Sequence, residues 1–219
     1  MAVKNVKFVI EHLEPVLSRW AWIEYRHASE IVGRENLIIT NVKDAREAEK
    51  LRELACEVYS QSISELLIPR EKLIVLDPKS DIPLQPEDIT EDSYIVIGGI
   101  LGDHPPKGRT RKLLTSKLPG AKTRNIGKRQ FSIDGAAYVA NMVSQGANLS
   151  SIKVRKKLEI LVKRDDFYEH VVELPYAYPV DDEGRVVVSK ELIRYLKKGI
   201  EKDEKEILKT GHAKSIVDY

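Results

Sequence analysis

The sequence predicts an α/β fold: a largely parallel sheet with helices on both faces. Two observations carry it. Short runs rich in Ile, Val and Leu alternate with segments of helical period from residue 6 to residue 146, which is the pattern of βαβ units. One of those runs also ends in a glycine cluster, and in such sheets ligand loops lie at the carboxyl ends of the strands.

The first strand reads Val6 to Glu11, and a helix is expected from about Pro15, because proline suits the first helical position; Gly33 marks its end. Asn36 to Val42 is an Ile-rich strand, and Asp44 to Ser60 has helical spacing with Ala48, Leu51, Leu54 and Val58 on one face. Lys72 to Leu76 is the next strand, followed by the proline-rich loop DPKSDIPLQPED. Tyr94 to Leu101 runs straight into the glycines. Arg109 to Leu118 is a short basic helix stopped by Pro119-Gly120, and Lys122 to Asn125 is the fifth strand. Ser132 is an N-cap, and the helix it opens carries Ala137, Val139, Ala140 and Val143 as far as Gly146.

The remainder has a different pattern. Leu158 to Lys163 and Phe167 to Glu173 flank Arg164-Asp165-Asp166 as the arms of a β-hairpin, although the first arm also reads as the end of a helix. A proline-rich connector leads to Ser189, which caps an amphipathic helix through Ile193, Leu196, Ile200 and Ile207. Residues 1–146 are therefore expected to form the core and 147–219 an extension packed on it.

Composition narrows the function. The 219 residues are 42% hydrophobic and 32% charged, enough for a sizeable core. The longest apolar stretches, such as Leu37 to Ile39 and Tyr94 to Ile97, are too short to cross a bilayer, and MAVKNVKFVIEHLE lacks the apolar region of a signal peptide. A single cysteine, Cys56, excludes an internal disulfide and a cysteine-based zinc site; it reads as a packed residue inside the helical LACEVYS run. A cytoplasmic location follows as an expectation. Charge is unevenly placed. Between His104 and Ile133 there is no acidic residue but nine basic ones: Lys107, Arg109, Arg111, Lys112, Lys117, Lys122, Arg124, Lys128 and Arg129. Such a run is either a solvated face or a surface for an RNA backbone.

The sharpest local feature is Ile97-Gly98-Gly99-Ile100-Leu101-Gly102-Asp103, where missing side chains let a ligand approach the backbone; a tight turn is the plainer reading. No strand carries GxGxxG and neither Gly102 nor Gly120 gives GxxxxGK[ST]. A second polar loop, Thr123 to Gln130, leads into the helix start at Ser132, whose backbone amides suit an anionic or carbonyl group. Two such loops at adjacent strand ends would clamp one small molecule.

The strings FVIEHLE (Phe8 to Glu14), WIEYRH (Trp22 to His27), GGILGDHPPKGRT (Gly98 to Thr110) and TRNIGKRQFSIDGAA (Thr123 to Ala137) resemble the SPOUT-class S-adenosylmethionine-dependent methyltransferases. The resemblance is to a branch with archaeal members, often described as RNA methyltransferases, and a yeast member that methylates an arginine of a small-subunit ribosomal protein. It implies a deep trefoil knot in the C-terminal half of the sheet. It also implies S-adenosylmethionine as cofactor and S-adenosylhomocysteine as product; no metal is expected, since the sequence has no HExxH or other metal-ligand spacing. Ile97, Gly98, Gly99, Leu101, Gly102, Asn125, Ile126, Gly127, Gln130 and Ser132 would hold the cofactor.

If the acceptor is a guanidinium, its proton must leave as the methyl bond forms, and carboxylates would orient the cation and take that proton. Glu11, Glu14, Glu24 and Asp103 are the candidates, with helix capping the alternative for Glu14 and a helix-surface pair with Tyr25 the alternative for Glu24. His12, Arg109, Lys128 and Arg129 are the candidates for substrate contact, whereas His27, His170 and His212 have no clustered partners. Trp20 and Trp22 read as core or interface residues rather than stacking platforms. The expected activity is methylation of an arginine of a ribosomal protein. The alternatives are an rRNA or tRNA methyltransferase and a non-catalytic ribosome- or RNA-binding module. A ribosomal protein or ribosomal RNA is the expected partner, no membrane is involved, and a monomer is favoured over a homodimer.

Overall fold

The structure, a computed structural model, describes residues 5–102, 105–164 and 169–219. Its centre is a six-stranded parallel sheet formed by β1 (Lys7–His12), β2 (Leu37–Thr40), β3 (Glu57–Val58), β4 (Leu73–Leu76), β5 (Tyr94–Gly99) and β6 (Lys122–Arg124). The spatial order is β3-β2-β1-β5-β4-β6, so β1 and β5 lie side by side in the middle. Their register pairs Glu11 with Gly98 and His12 with Gly99. This places the carboxylate-bearing end of the first strand beside the glycine cluster.

Side chains alternate across the sheet as the pleat requires. Phe8, Ile10, Ile39, Ile95 and Ile97 face α1 (Arg19–Val32) and, after α2 (Ala45–Leu51) and α3 (Arg109–Leu113), α4 (Ile133–Ser144). Val9, Ile38, Val75 and Val96 face Ile63, Leu114 and Leu118 on the other side. Each large aliphatic side chain buried in this way contributes about 1.5–3 kcal/mol. Helices α1 and α4 approach closely through small residues, among them Ala21, Ala28, Ala137 and Ala140, all essentially buried.

Several boundaries differ from expectation. α1 starts at Arg19, not near Pro15, because Ser18 is a real cap whose Oγ accepts the Ala21 N–H at 3.2 Å. The helix expected over Asp44 to Ser60 ends at Leu51; Glu57 and Val58 instead pair with Ile38 and Ile39 as an edge strand. Cys56 consequently sits outside any helix and is exposed, its thiol donating to the Leu37 carbonyl at 3.1 Å. The basic helix stops at Leu113 and continues as a 3-10 turn over Thr115–Lys117.

Beyond residue 146 come β7 (Val154–Arg155), an antiparallel hairpin of β8 (Leu158–Arg164) and β9 (Glu169–Leu174), and β10 (Tyr178–Pro179). The first hairpin arm is a strand, not a helix end. The final amphipathic segment is broken at Gly199 into α5 (Lys190–Lys198) and α6 (Ile200–Thr210). Leu192 and Leu196 of α5 enter the same apolar cluster as α1 and α4. The last residues are docked: the Ile216 N–H donates to the Leu17 carbonyl, Ser215 Oγ donates to Glu47, and the Arg19 guanidinium stacks on Tyr219. Among the described residues no helix is long and apolar enough to cross a membrane.

Candidate cofactor cleft

The segments that leave β4, β5 and β6 converge, at the carboxyl ends of the strands, on a cleft of about 290 Å³. The starts of α3 and α4 close it. Of the residues expected at a cofactor, Ile97, Gly98, Gly102, Ile126, Gln130 and Ser132 line this cleft, and so do Arg109, Lys128 and Arg129 from the expected substrate set. Ile100 and Phe131, inside the two expected loops, line it too, as do Asp77, Pro78 and Lys79, which were not foreseen. Leu76, Ile97, Ile100, Ile126 and Phe131 make its walls apolar, a suitable lining for a flat heteroaromatic ring.

The two strand-end glycines have opposite duties. Gly98 opens on the cleft; a Cβ there would lie 3.4 Å from Ile100 Cδ1 and 3.8 Å from Leu114 Cδ2, so the backbone is bare by choice of space rather than by collision. Gly99 belongs behind the cleft, against α1. A Cβ on it would strike the Tyr25 hydroxyl and stand 2.8 Å from the Glu11 carbonyl oxygen. Gly99 does not line the cleft, and strand alternation turns the position of its missing Cβ toward α1. Gly102 is packed against Gln130, whose amide a Cβ would strike, and its carbonyl accepts the Tyr176 hydroxyl at 2.7 Å.

Leu101, Asn125 and Gly127 also lie off the cleft lining. Asn125 is spent on the loop after β4: its N–H donates to Ile82, its carbonyl accepts from Leu84, its side-chain amide donates to Ser80 at 2.9 Å, and its Oδ1 accepts the Gly127 N–H at 3.0 Å.

Leu101 is held by a latch. Glu14 Oε1 accepts its N–H at 2.9 Å, Arg109 donates to its carbonyl, and Arg109 Nη1 lies 3.1 Å from the same Glu14 oxygen. Glu14 is thus no helix cap, and Arg109 is tied to the loop that walls the cleft. Hydrogen bonds to charged groups are worth about 1.5–3 kcal/mol each. Glu14→Ala is therefore expected to weaken binding of S-adenosylhomocysteine about tenfold to a hundredfold in a calorimetric titration while the protein stays folded.

The basic run is partly neutralised from within. Arg111 Nε meets Asp77 Oδ2 at 2.5 Å, and Asp77, itself buried, also accepts from Thr115 Oγ1 at 2.8 Å and from the Lys79 N–H at 2.8 Å. Arg124 grips Asp88 with two bonds of 2.8 and 2.6 Å, and Lys122 donates to the Asp88 carbonyl at 2.9 Å. The Arg124 guanidinium holds the Asp88 carboxyl below the usual carboxylate range. With Arg109 on Glu14, the cations at 109, 111, 122 and 124 all have internal partners, whereas Lys112, Lys117, Lys128 and Arg129 are exposed.

Among the described residues the predicted catalytic carboxylates Glu11, Glu14 and Glu24 have separate partners. Glu11, almost wholly buried, accepts from Thr40 Oγ1 at 2.5 Å, Ser62 Oγ at 2.6 Å and the Ile63 N–H at 2.9 Å, which fastens the segment after β3 and leaves nothing facing the cleft. Glu24 is buried between α1 and α4, where it accepts the Ile133 N–H at 2.9 Å and the Trp20 indole N–H at 2.7 Å; it is no surface pair. Its pKa is pushed up to about 8, first by burial and then by the nearby charge of Asp134. Asp103 lies outside the described residues.

His12 is buried and shares a 2.8 Å hydrogen bond between its Nδ1 and the Tyr25 hydroxyl. Burial lowers its pKa against the opposing pull of Glu47, so the ring is neutral at pH 7. His27, expected to be alone, lies 2.6 Å from Asp134 Oδ2. Trp22 is a core residue and Trp20 a partly buried donor. Next to the cleft, across the Glu14 latch, a groove of about 650 Å³ is lined by His12, Glu14, Asn41, Asp44, Arg46, Glu47 and Asp218, among others.

Comparison with known proteins identifies the family. The family described as "SFM1-like: Protein arginine N-methyltransferase SFM1-like" matches residues 7–203. The curated protein arginine N-methyltransferase SFM1 of Saccharomyces cerevisiae is 29% identical over 206 residues, spanning 88% of this chain and 95% of its own. The crystal structure of the yeast arginine methyltransferase SFM1 complexed with SAH superposes with a TM-score of 0.77 at 28% identity, covering 87% of this chain and 94% of that one. The corresponding complex with SAM gives the same TM-score at 29% identity over 88% of this chain and 90% of that one. The mainly parallel, SPOUT-type α/β architecture expected from the sequence is the architecture found. With the match running from the first strand to the last long helix, the chain belongs to the SFM1-like family of protein arginine N-methyltransferases.

Proposed function

We propose that this chain is a cytoplasmic, monomeric enzyme that transfers a methyl group from S-adenosylmethionine to an arginine side chain of a ribosomal protein, leaving S-adenosylhomocysteine. One observation carries the reading: the two family-like strings, Gly98 to Thr110 and Thr123 to Ala137, supply most of the wall of a single apolar cleft at the strand ends, with Gly98 bare toward it. The cleft fits the cofactor, with Ile97, Ile100, Ile126 and Phe131 against the purine. Arg109, Lys128 and Arg129 are the cations placed to meet its carboxylate. When bound, the cofactor supplies an electrophilic methyl group on a sulfonium; the chain's own task is to orient donor and acceptor for in-line attack.

The acceptor arginine is assigned to the groove beside Glu14. Glu47, buried and accepting from the Leu17 N–H at 2.8 Å and Ser215 Oγ at 2.5 Å, and Glu14 would orient the guanidinium, with neutral His12 as an adjoining uncharged base. A guanidinium with a pKa above about 12 must lose its proton as the C–N bond forms, so a neutral ring beside two carboxylates is a chemically consistent receiver. The choice of a ribosomal protein rests on the resemblance read from the sequence strings, and the internal pairing of Arg109, Arg111, Lys122 and Arg124 weighs against a long RNA footprint.

The test is methylation of ribosomes from the protein's own source with radiolabelled S-adenosylmethionine, protein and RNA being separated before counting. Label in one protein band, released as methylarginine and lost with Gly98→Val, is expected. Label in RNA would replace this reading by the RNA one, and label in neither fraction would favour a non-catalytic ribosome-binding module.

A further inference from the structure

The groove beside Glu14 holds an acceptor to which no role has been given. Asn41 follows β2 directly, and β2 runs beside β1 with Thr40 opposite Glu11. One step further along both strands Asn41 meets His12, and its Nδ2 donates to the His12 carbonyl at 2.7 Å. A carbonyl oxygen can only accept, so this bond fixes which way round the amide lies. The other end is Oδ1. Asn41 is half-buried and lines the groove, and among the described residues no group donates to that oxygen.

The backbone holds this residue in an unusual conformation. Its φ is +65°, and among the described residues only one other non-glycine residue, Asp92, has a positive φ. Asparagine tolerates the left-handed region better than most side chains, and residues held there cluster at binding and catalytic sites. The turn is pinned to the segment after β3: the Asn41 N–H donates to the Gln61 carbonyl at 2.8 Å and the Val42 N–H to the Tyr59 carbonyl at 3.0 Å.

Two carboxylates of the same groove each have an oxygen to offer. Glu14 serves Leu101 and Arg109 through Oε1, and Glu47 serves Leu17 and Ser215 through Oε1. Among the described residues neither Oε2 has a donor. The cations that line the groove are engaged elsewhere, Lys43 on the Ser60 carbonyl at 2.6 Å and Arg46 on Asp44 and Asp218 at 2.8 and 3.0 Å. The chain after β1, the chain after β2 and α2 thus each bring one acceptor to one groove. A guanidinium carries five N–H donors in a plane and needs partners in several directions. The carboxylates supply the charge, and a neutral amide oxygen adds a hydrogen bond without competing for the proton that must leave.

We propose that Asn41 is a substrate-binding residue: its Oδ1 accepts a hydrogen bond from the guanidinium of the arginine to be methylated, alongside Glu14 and Glu47. The proposal rests on the arginine-methyltransferase reading above.

The experiment is steady-state methylation of total ribosomal protein, stripped of RNA and taken from the protein's own source, with radiolabelled S-adenosylmethionine and counting of methylarginine. It is run on the wild type, Asn41→Gly and Asn41→Asp, with calorimetric titration of S-adenosylhomocysteine in parallel. Glycine is at home at this φ, so Asn41→Gly removes the side chain without straining the turn. Its apparent KM for the ribosomal protein should rise about tenfold or more, with kcat within about threefold and cofactor affinity within about twofold of wild type. That split marks lost substrate binding, whereas a displaced His12 would lower kcat. Asn41→Asp accepts the same backbone and keeps an acceptor oxygen, so its KM should return to within about threefold of wild type. An Asn41→Gly protein with unchanged KM, or with cofactor affinity falling in step with KM, overturns the proposal and leaves the arginine reading standing. So does a loss of kcat at unchanged KM. Asn41→Asp as poor as Asn41→Gly would assign the loss to the missing bond to the His12 carbonyl and overturn it as well. A wild type that binds S-adenosylhomocysteine but labels no protein overturns the arginine reading itself, and the proposal with it.

Discussion

Gly98→Val and Gly99→Val, one residue apart, are expected to fail in different ways. Gly98→Val should fold normally, with a melting temperature within a few degrees of wild type, and should lose more than a hundredfold in affinity for S-adenosylhomocysteine. Its Cβ has ordinary contact distances of 3.4 and 3.8 Å to Ile100 and Leu114, and valine suits a strand, so nothing in the folded protein resists it. Its methyl groups then occupy the cleft that Gly98 lines. Gly99→Val should yield no folded protein. The Cβ alone collides with the Tyr25 hydroxyl and comes within 2.8 Å of a backbone oxygen of the neighbouring strand. Tyr25 cannot yield without giving up its bond to His12 inside a close-packed core. Overpacking of that kind costs about 1–3 kcal/mol when side chains can shift, and more when backbone is in the way. Even Gly99→Ala should lower stability by about 3 kcal/mol in urea unfolding. A folded Gly99→Val protein with merely weakened cofactor binding would show that the strand faces are assigned the wrong way round.

This contrast also shows where sequence reading stops. The glycine cluster was legible because a strand followed by bare backbone is a local signal, and so was the Ser132 cap, whose Oγ takes the Gly135 N–H at 3.3 Å. Which glycine faces the ligand was not, since that depends on strand phase and on what packs behind each residue. Strand β3 was hidden by Ala48, Leu51, Leu54 and Val58, whose spacing fits a helix; pairing with β2 overrides that local preference. Asp77 and Lys79 were missed because a loop becomes a cleft wall only once the sheet order puts β4 between β5 and β6. The basic run looked like one surface because its neutralising partners, Glu14, Asp77 and Asp88, lie tens of residues away along the chain. Carboxylates chosen for their chemistry and strand-end position were scattered by the fold into a latch, a core tether and a helix-start support.

The carboxylate at position 11 gives the sharpest test of that sorting. Glu11→Ala should cost about 3–5 kcal/mol, which for a domain of this size is a drop in melting temperature of about 10 °C or more. The reason is the number of donors it serves. Removing it strands the Ile63 N–H, a backbone group that cannot turn away, together with the hydroxyls of Thr40 and Ser62. Ser62 can fall back on Ser64 Oγ at 2.9 Å, and Thr40 has only a long 3.5 Å contact to the Ile10 carbonyl, so part of the loss is recovered and part is not. Glu11→Gln keeps the shape but turns an amide toward one of three donors, and should cost about 1–2 kcal/mol. The kinetic expectation is the reverse of that for a proton acceptor. With radiolabelled cofactor and the natural acceptor, Glu11→Gln should keep its turnover within about tenfold of wild type at a temperature where both are folded, because the carboxylate faces Ile63 and not the cleft. A Glu11→Gln protein of unchanged melting temperature and abolished turnover would place the reacting arginine on that side of β1, and the groove beside Glu14 would lose its assignment.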